Sequence, residues 1–484
     1  MMKVLFTHSY FLQFDPKQWR IMQPYAPLGT IYAAALLRSK GYDVALHDVM
    51  FADGPDTIIP KLELFKPDIL VIYDDGFNYL TKMCLTNMRE AAFRMSELAK
   101  ARGCKVIVSS SDSTDHFDKY LDHQADFIII GEAEQTLLEL CDGIKDNNLT
   151  PENVLGVAFR KNEGILKTPA RPVMTDLDAL PNPAWDLVDV DRYRQAWVDT
   201  YGYFSMNMGT TRGCPFKCNW CAKPIYGNRY NARSAEKVVA ELTELKAKYN
   251  FDHIWFCDDI FGLKPGWVKR FADLVNTAGL KFKFKIQSRA DLLLKDEQIQ
   301  PLAASGCDNV WMGAESGSQR ILDAMDKGTT IAQIAEATRL LKQYGIKPAF
   351  FLQFGYLGET MEDIQLTLDM VKRLVPADIG ISVSYPLPGT RFYDMVKEQL
   401  GAKTNWTDSD ELALMFNNTY KPEFYKQLHR YVHALFRRAT AGVKAKDILK
   451  SPLSFNAGDA YTAIKWPYYL LREKQQQRLL HKQL

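Results

Sequence analysis

Thr211-Arg-Gly-Cys-Pro-Phe-Lys-Cys-Asn-Trp-Cys221 places three cysteines, Cys214, Cys218 and Cys221, at the spacing C-x-x-x-C-x-x-C. Thiolates are soft ligands for iron. Three on one short loop can hold three corners of a four-iron four-sulfur cluster, [4Fe-4S], and leave the fourth iron without a protein ligand. An open iron is a reactive iron, so the spacing points to an enzyme. A zinc knuckle would add a second Cys or His pair downstream at finger spacing, and none follows.

Around this loop the chain alternates strand-like and helical patterns. From Phe204 onward the runs Phe204-Ser-Met-Asn-Met, His253-Ile-Trp-Phe-Cys, Lys283-Phe-Lys-Ile-Gln, Asn309-Val-Trp-Met-Gly, Ala349-Phe-Phe-Leu-Gln-Phe and Asp378-Ile-Gly-Ile-Ser-Val-Ser each precede a loop. Six such units predict a partial TIM-like barrel, whose chemistry sits on the loops at the carboxyl ends of the strands. Those ends carry Asp258-Asp259, Gln287-Ser288-Arg289, Gly313-Ala-Glu-Ser-Gly-Ser318, Gly355-Tyr-Leu-Gly-Glu359 and Pro386-Leu-Pro-Gly-Thr390. Upstream, five β-rich runs between Lys3 and residue 142 predict an α/β domain, flavodoxin-like and of Rossmann type, with a doubly wound parallel sheet that binds ligands at the carboxyl ends of its strands. The expected divisions are therefore residues 1–142, a turn-rich linker with its own hairpin over 143–200, the barrel over 201–398, and a C-terminal helical basic region over 399–484. In that last region Phe424, Leu428, Tyr431, Val432 and Leu435 line one side of a helix over 421–441.

The cysteine loop, with Trp220 as its aromatic residue and the strand-end groups following in order, resembles the radical S-adenosylmethionine (radical SAM) superfamily over about 200 residues. The resemblance implies a [4Fe-4S] cluster on Cys214, Cys218 and Cys221. Its open iron chelates S-adenosylmethionine, which the cluster cleaves to a 5′-deoxyadenosyl radical. It further implies Asp258 or Asp259 for the methionine ammonium and Arg289 for the carboxylate. Glu315 and Ser316 would meet the ribose, the backbone at Trp220, Gly355 and Tyr385 the adenine, and Gln287 stands among the same strand-end groups. The amino-terminal domain resembles the cobalamin-binding module of one large class of these enzymes, which includes the anaerobic magnesium-protoporphyrin monomethyl ester cyclase and many methyltransferases. Pro27-Leu28-Gly29, Ser110-Ser111 and Gly131-Glu132 are the positions carried over. Two departures stand out: there is no D-x-H-x-x-G motif, so no histidine is marked as a cobalt ligand, and Ser109-Ser-Ser-Asp-Ser113 replaces paired glycines.

On this resemblance the expected reaction is methylation of an unactivated carbon of a small-molecule substrate. The rivals are radical oxidation, cyclisation or rearrangement without net methylation, a cobalamin-independent radical SAM enzyme, and a non-catalytic iron–sulfur protein. A low-potential electron donor such as flavodoxin or ferredoxin is implied.

Composition sets the remaining bounds. With 484 residues, 47% of them hydrophobic, the chain holds more than one core. Cys84, Cys104, Cys141, Cys257 and Cys307 lack framework spacing and read as buried small residues in a reducing compartment, with a cytoplasmic location expected. His47, His116 and His123 share no metal-ligand spacing, and Tyr73-Asp-Asp-Gly76 reads as either a capped turn or a carboxylate pair facing substrate. From Lys421 onward 13 Lys and Arg stand against 4 Asp and Glu, a charge of +9 in a chain of net +2. That tail leaves contact with a membrane surface open, while the lack of an RNA-binding module argues against nucleic acid. The linker aromatics Trp185, Tyr193, Trp197, Tyr201 and Tyr203 suit a large apolar substrate and a protein core equally.

Overall fold

The computed structural model describes residues 1–74, 76–77, 85–295, 298–401, 405–450 and 457–484. Asp75 and Asn78 of the expected ligand-edge loop, and Cys84, lie outside the described residues. Two compact units divide the chain. The first comprises Met1–Phe216, Ala222–Phe284 and Asn405–Glu411, and the second Lys217–Cys221, Lys285–Thr404 and Leu412–Leu484.

The first unit is built on a sheet of β1 (Lys3–Thr7), β2 (Asp43–His47), β3 (Ile69–Tyr73), β4 (Lys105–Ser109), β5 (Phe127–Ile129), β6 (Val157–Lys161) and β7 (Gly164–Lys167) in the order β2-β1-β3-β4-β5-β6-β7. Its first five strands are parallel, in the flavodoxin order. Strands covered on both faces need continuous apolar runs, and β3 is accordingly buried from Ile69 to Tyr73. Leu5, Leu70, Ile72, Val106, Val108 and Ile128 join one core. The hairpin anticipated in the connector does more than turn the chain: β6 pairs antiparallel with β5, Ile128 opposite Ala158, and so satisfies backbone groups that an edge strand would leave open.

Three of the linker aromatics, Trp185, Tyr193 and Trp197, lie in protein core, whereas Tyr203 is half-buried and Tyr201 exposed. Trp197 is fully buried, donates from Nε1 to the Pro24 carbonyl at 2.8 Å, and packs against Tyr25 and Tyr201 with ring centroids 5.2 Å apart in each case. Trp185 and Tyr193 are buried as well, and the Tyr193 hydroxyl donates to Asp48 at 2.8 Å.

The βα alternation of the expected barrel is present in both units. In the first, β8 (Ser205–Met208) pairs parallel with β11 (His253–Phe256), and β9 (Thr211–Arg212) forms a short antiparallel bridge with β10 (Asn231–Ala232). The chain passes between units within β12 (Lys283–Ser288). In the second, β13 (Cys307–Glu315), β14 (Lys347–Phe354) and β15 (Asp378–Val383) are parallel neighbours. Helices Ile331–Gln343 and Met361–Leu374 begin at Thr330 and Thr360, whose side chains close capping boxes with Gln333 and Asp363. Beyond β15 no further strand occurs among the described residues, and helix Pro422–Lys450 extends past the expected end near residue 441.

Truncating Trp197 removes a fully buried indole and its hydrogen bond. Trp197→Ala is expected to destabilise the first unit by about 3–5 kcal/mol, visible as a lowered thermal midpoint, whereas Trp197→Phe recovers most of the loss.

Candidate functional site

The cysteine loop has no regular secondary structure, so its shape depends on anchors at both ends. On the approach, Gly213 has φ +78° and its missing Cβ would stand 2.4 Å from the Arg229 carbonyl oxygen, which leaves room for glycine alone. Arg212, just before it, is buried and holds Glu132 and Glu134 at 2.5 Å each. Asp258, at the end of β11, accepts from the Thr210 and Thr211 backbone N–H groups at 2.6 and 2.8 Å and from the Thr210 hydroxyl at 2.5 Å. Burial pushes the Asp258 carboxyl up to about 6 against the pull of those bonds. Expected as an alternative acceptor for a ligand ammonium, Asp258 is instead committed to the backbone that leads into the cysteines; Asp259 beside it is half-buried.

In the second unit Asn219, between two cysteines, is the other anchor. Its backbone N–H donates to the Met325 carbonyl at 3.0 Å and its carbonyl accepts from the Phe392 N–H at 2.8 Å. Its side-chain amide donates to the Ala324 carbonyl at 2.7 Å and accepts from the Tyr356 hydroxyl at 3.1 Å. Nothing in the C-x-x-x-C-x-x-C pattern marks this residue.

A buried cationic pair stands beside Cys218. Arg289 directs Nη1 at the Cys218 sulfur at 3.8 Å, donates from Nη2 to the Lys327 carbonyl at 2.8 Å, and bonds Asp291 from Nε at 2.9 Å. The Lys327 ammonium bonds Glu315 at 2.7 Å and lies 6.0 Å over the Trp220 ring. Burial disfavours that charge, but Glu315 and the Cys218 thiol outweigh it and hold the Lys327 pKa above its ordinary value. Glu315 takes a left-handed φ of 55° at a register shift in β13, and a Cβ on Gly313 would meet the Lys327 ammonium at 2.4 Å. Glycine at 313 thus makes room for the pair.

The other anticipated residues divide between open and closed. Trp220 is half-buried and its Nε1 is sequestered without a hydrogen-bond partner among the described residues. Gln287 is half-buried and Tyr385 buried. Ser316, expected at a ribose, is fully buried; it contacts the Thr367 hydroxyl at 3.2 Å and accepts from the Ser318 N–H at 3.1 Å, serving the turn itself. Gly355 donates to Glu359 at 2.6 Å and its carbonyl accepts from Asn418 at 2.6 Å. Glu359 is fully buried, one carboxyl oxygen has no partner, and burial pushes its pKa up to about 8.

At the carboxyl edge of the first sheet, Pro27, Leu28 and Gly29 are buried at the start of helix Leu28–Ser39. Ser110 caps helix Ser111–Asp115 by reciprocal bonds with Ser113, and Ser111 is buried. Glu132 is taken by Arg212 and the Met174 N–H, because a buried carboxylate needs a charged or N–H partner. Ser110 and Glu132 therefore serve the protein's own framework, and Gly131 remains half-buried.

The donor set fits an iron–sulfur cluster. Cys214, Cys218 and Cys221 are half-buried, whereas Cys104, Cys141, Cys257 and Cys307 are buried. Among the described residues no three His, Cys, Asp or Glu side chains converge to hold a single metal ion. A cluster bound there would take one thiolate for each of three irons.

Residues 208–371 match the model of the Radical SAM superfamily. Over those residues the chain carries a Radical SAM domain. It is 28% identical over 390 residues to an uncharacterized methyltransferase of Pyrococcus horikoshii, covering 78% of this chain and 80% of the relative. It is 27% identical over 425 residues to the anaerobic magnesium-protoporphyrin IX monomethyl ester cyclase of Rubrivivax gelatinosus, covering 85% and 72%. The solved structure of the cobalamin-dependent S-adenosylmethionine radical enzyme OxsB with aqua-cobalamin bound superposes with a TM-score of 0.73 at 18% identity, covering 99% of this chain and 72% of OxsB. The radical SAM domain begins on β8 and spans the cysteine loop, Arg289, Glu315, Lys327 and Gly355.

Two substitutions probe the buried charges. Lys327→Met leaves Glu315 buried without its partner and is expected to lower stability by about 3–5 kcal/mol, while the double change with Glu315→Gln returns much of it in a double-mutant cycle. Glu359 keeps its proton up to about pH 8, where unfolded glutamates with the ordinary value of 4.5 have lost theirs. Its contribution to stability is therefore present in full below pH 4.5 and declines as pH rises to about 8. Glu359→Gln has no proton to lose, so its thermal midpoint should gain on that of the native chain between about pH 5 and pH 8.

Proposed function

We propose that this chain is a cobalamin-dependent radical SAM enzyme that methylates an unactivated carbon of a small-molecule substrate. The observation that carries the reading is the half-buried cysteine triad with Arg289 and Lys327 beside Cys218, in a domain that matches the radical SAM model. When bound, the cluster and S-adenosylmethionine supply a 5′-deoxyadenosyl radical and cobalamin supplies the methyl group. The chain's own work is to hold and shield. Cys214, Cys218 and Cys221 are assigned to iron, Arg289 to the methionine carboxylate through the guanidinium edge that faces Cys218, Asp259 to the ammonium, and Glu315 to the ribose in the orientation Lys327 imposes. The backbone at Gly355 and Tyr385, together with Trp220, is assigned to the adenine, with Gln287 beside them. Burial of these charges keeps water from the centre, which suits radical chemistry.

Cobalamin is assigned to the carboxyl edge of the 2-1-3-4-5 sheet in residues 1–142, where Ser111 and Gly131 belong to the loops expected to meet it. Residues 143–200 are taken as connector, 201–398 as the barrel and 399–484 as an appended helical region. A low-potential flavodoxin or ferredoxin completes the electron supply. Cysteines without disulfide-framework spacing suit a cytoplasmic location, and no helix among the described residues is long and apolar enough to cross a membrane.

A second reading is radical oxidation or cyclisation without net methylation, favoured by the likeness to the Rubrivivax gelatinosus cyclase. Anaerobic reconstitution with iron, sulfide and hydroxocobalamin tests both. Methylation predicts about four irons and one corrin retained per chain, with one S-adenosylhomocysteine formed per 5′-deoxyadenosine on turnover. Oxidation predicts 5′-deoxyadenosine without matching S-adenosylhomocysteine. Iron retained without corrin would overturn the cobalamin assignment, and Cys218→Ala is expected to abolish cleavage of S-adenosylmethionine altogether.

A further inference from the structure

The last helix of the chain is inside out. Over Trp466–His481 its buried positions are Glu473, Gln476 and Leu480. Glu473 pairs with Arg438, and the Gln476 side chain accepts from Gln427 at 2.9 Å, both partners lying on helix Pro422–Lys450. With polar groups facing inward, large apolar side chains are left outside: Tyr468 is 56% exposed and Leu471 68%, and Leu479 lies on the same outer side. Helix Ala457–Ile464 just before it adds Tyr461 at 62% and Ile464 at 78% exposed. A water-facing helix normally presents the opposite arrangement, because each exposed apolar side chain forgoes a favourable transfer out of water. Single exposed apolar residues are ordinary; these five between positions 461 and 479, beside an inward-facing Glu, form a patch.

The charges around that patch identify what covers it. Lys465, Arg472, Lys474, Arg478 and Lys482 interleave with the apolar residues, and the region from Lys421 carries +9. A second copy of this chain would set one such surface against another of the same sign. An anionic lipid surface meets both requirements, since acyl chains receive the apolar side chains and headgroups receive the Lys and Arg, while tryptophan and tyrosine favour the boundary between them. We propose that the Tyr461–Leu479 segment is a monotopic docking element that seats the enzyme on an anionic bilayer without crossing it.

The test is co-sedimentation of the full chain, loaded with its cluster, with vesicles of phosphatidylcholine alone or mixed with phosphatidylglycerol. Binding to the mixed vesicles that falls with added salt and is absent from neutral ones is expected. The triple variant Ile464→Ser, Tyr468→Ser, Leu471→Ser should bind at least about tenfold more weakly, with unchanged iron content and circular dichroism because the three side chains face outward. Lys465→Ala with Arg472→Ala should flatten the salt dependence. Equal binding to neutral and anionic vesicles, no binding to either, or retention by the triple variant would each overturn the proposal. So would a concentration-dependent dimer in sedimentation velocity that the triple variant abolishes, since a second copy would then own the patch.

Discussion

A loop that must present three thiols to one cluster cannot be a helix or a strand, and it therefore borrows its rigidity from groups that hold its ends. Asn219 does this most directly: all of its polar groups are engaged, and it sits between Cys218 and Trp220, so neither can shift without breaking bonds to Ala324, Met325 and Phe392. On the approach, Asp258 gathers the Thr210 and Thr211 N–H groups and Arg212 is fixed by two glutamates. Pre-organisation of this kind places the cost of ordering the loop in the folding of the protein rather than in the capture of a cofactor.

Each unit also buries charge. Arg289, Glu315 and Lys327 are all buried, as are Arg212, Glu132 and Glu134. Burying an ion is unfavourable unless its partners are close and well oriented, and here each cation has a carboxylate within 3 Å. Hydrophobic residues of the same volume would fold at least as well. Retaining charges at this depth, with Glu315 in a strained backbone conformation, is the pattern of a site shaped for a polar ligand rather than for stability.

Much of the framework could be read before any coordinates, because its physics is local. Parallel strands covered on both faces need unbroken apolar runs, and Ile69-Leu-Val-Ile-Tyr73 forms β3 while Ala349-Phe-Phe-Leu352 forms the middle of β14. The cysteines announce themselves by spacing. What the pattern could not convey was direction. An acidic residue at a strand end reads alike whether it faces a ligand or the adjoining backbone, and Asp258 and Ser316 face the backbone. Ser110 and Glu132 likewise bond within the protein. Lys327 lies twelve residues beyond Glu315 in a turn with no motif of its own, so only the fold brings it beneath Trp220. The linker aromatics failed to discriminate core from binding surface because both need the same large apolar rings; burial of Trp197 and Trp185 decides for core.

The C-terminal helices show how charge and burial must be read together. Net charge alone marks the tail as basic, and hydrophobic periodicity alone would turn its apolar residues inward. Arg438 prevents that by pairing with Glu473, and Gln427 holds Gln476, which fixes the rotation of the last helix about its axis. Once that rotation is set, Tyr468 and Leu471 have nowhere to go but outward. Two polar contacts between helices thus determine the character of the opposite surface, and a surface imposed in this way is rigid before any partner arrives, which lowers the entropic cost of meeting one.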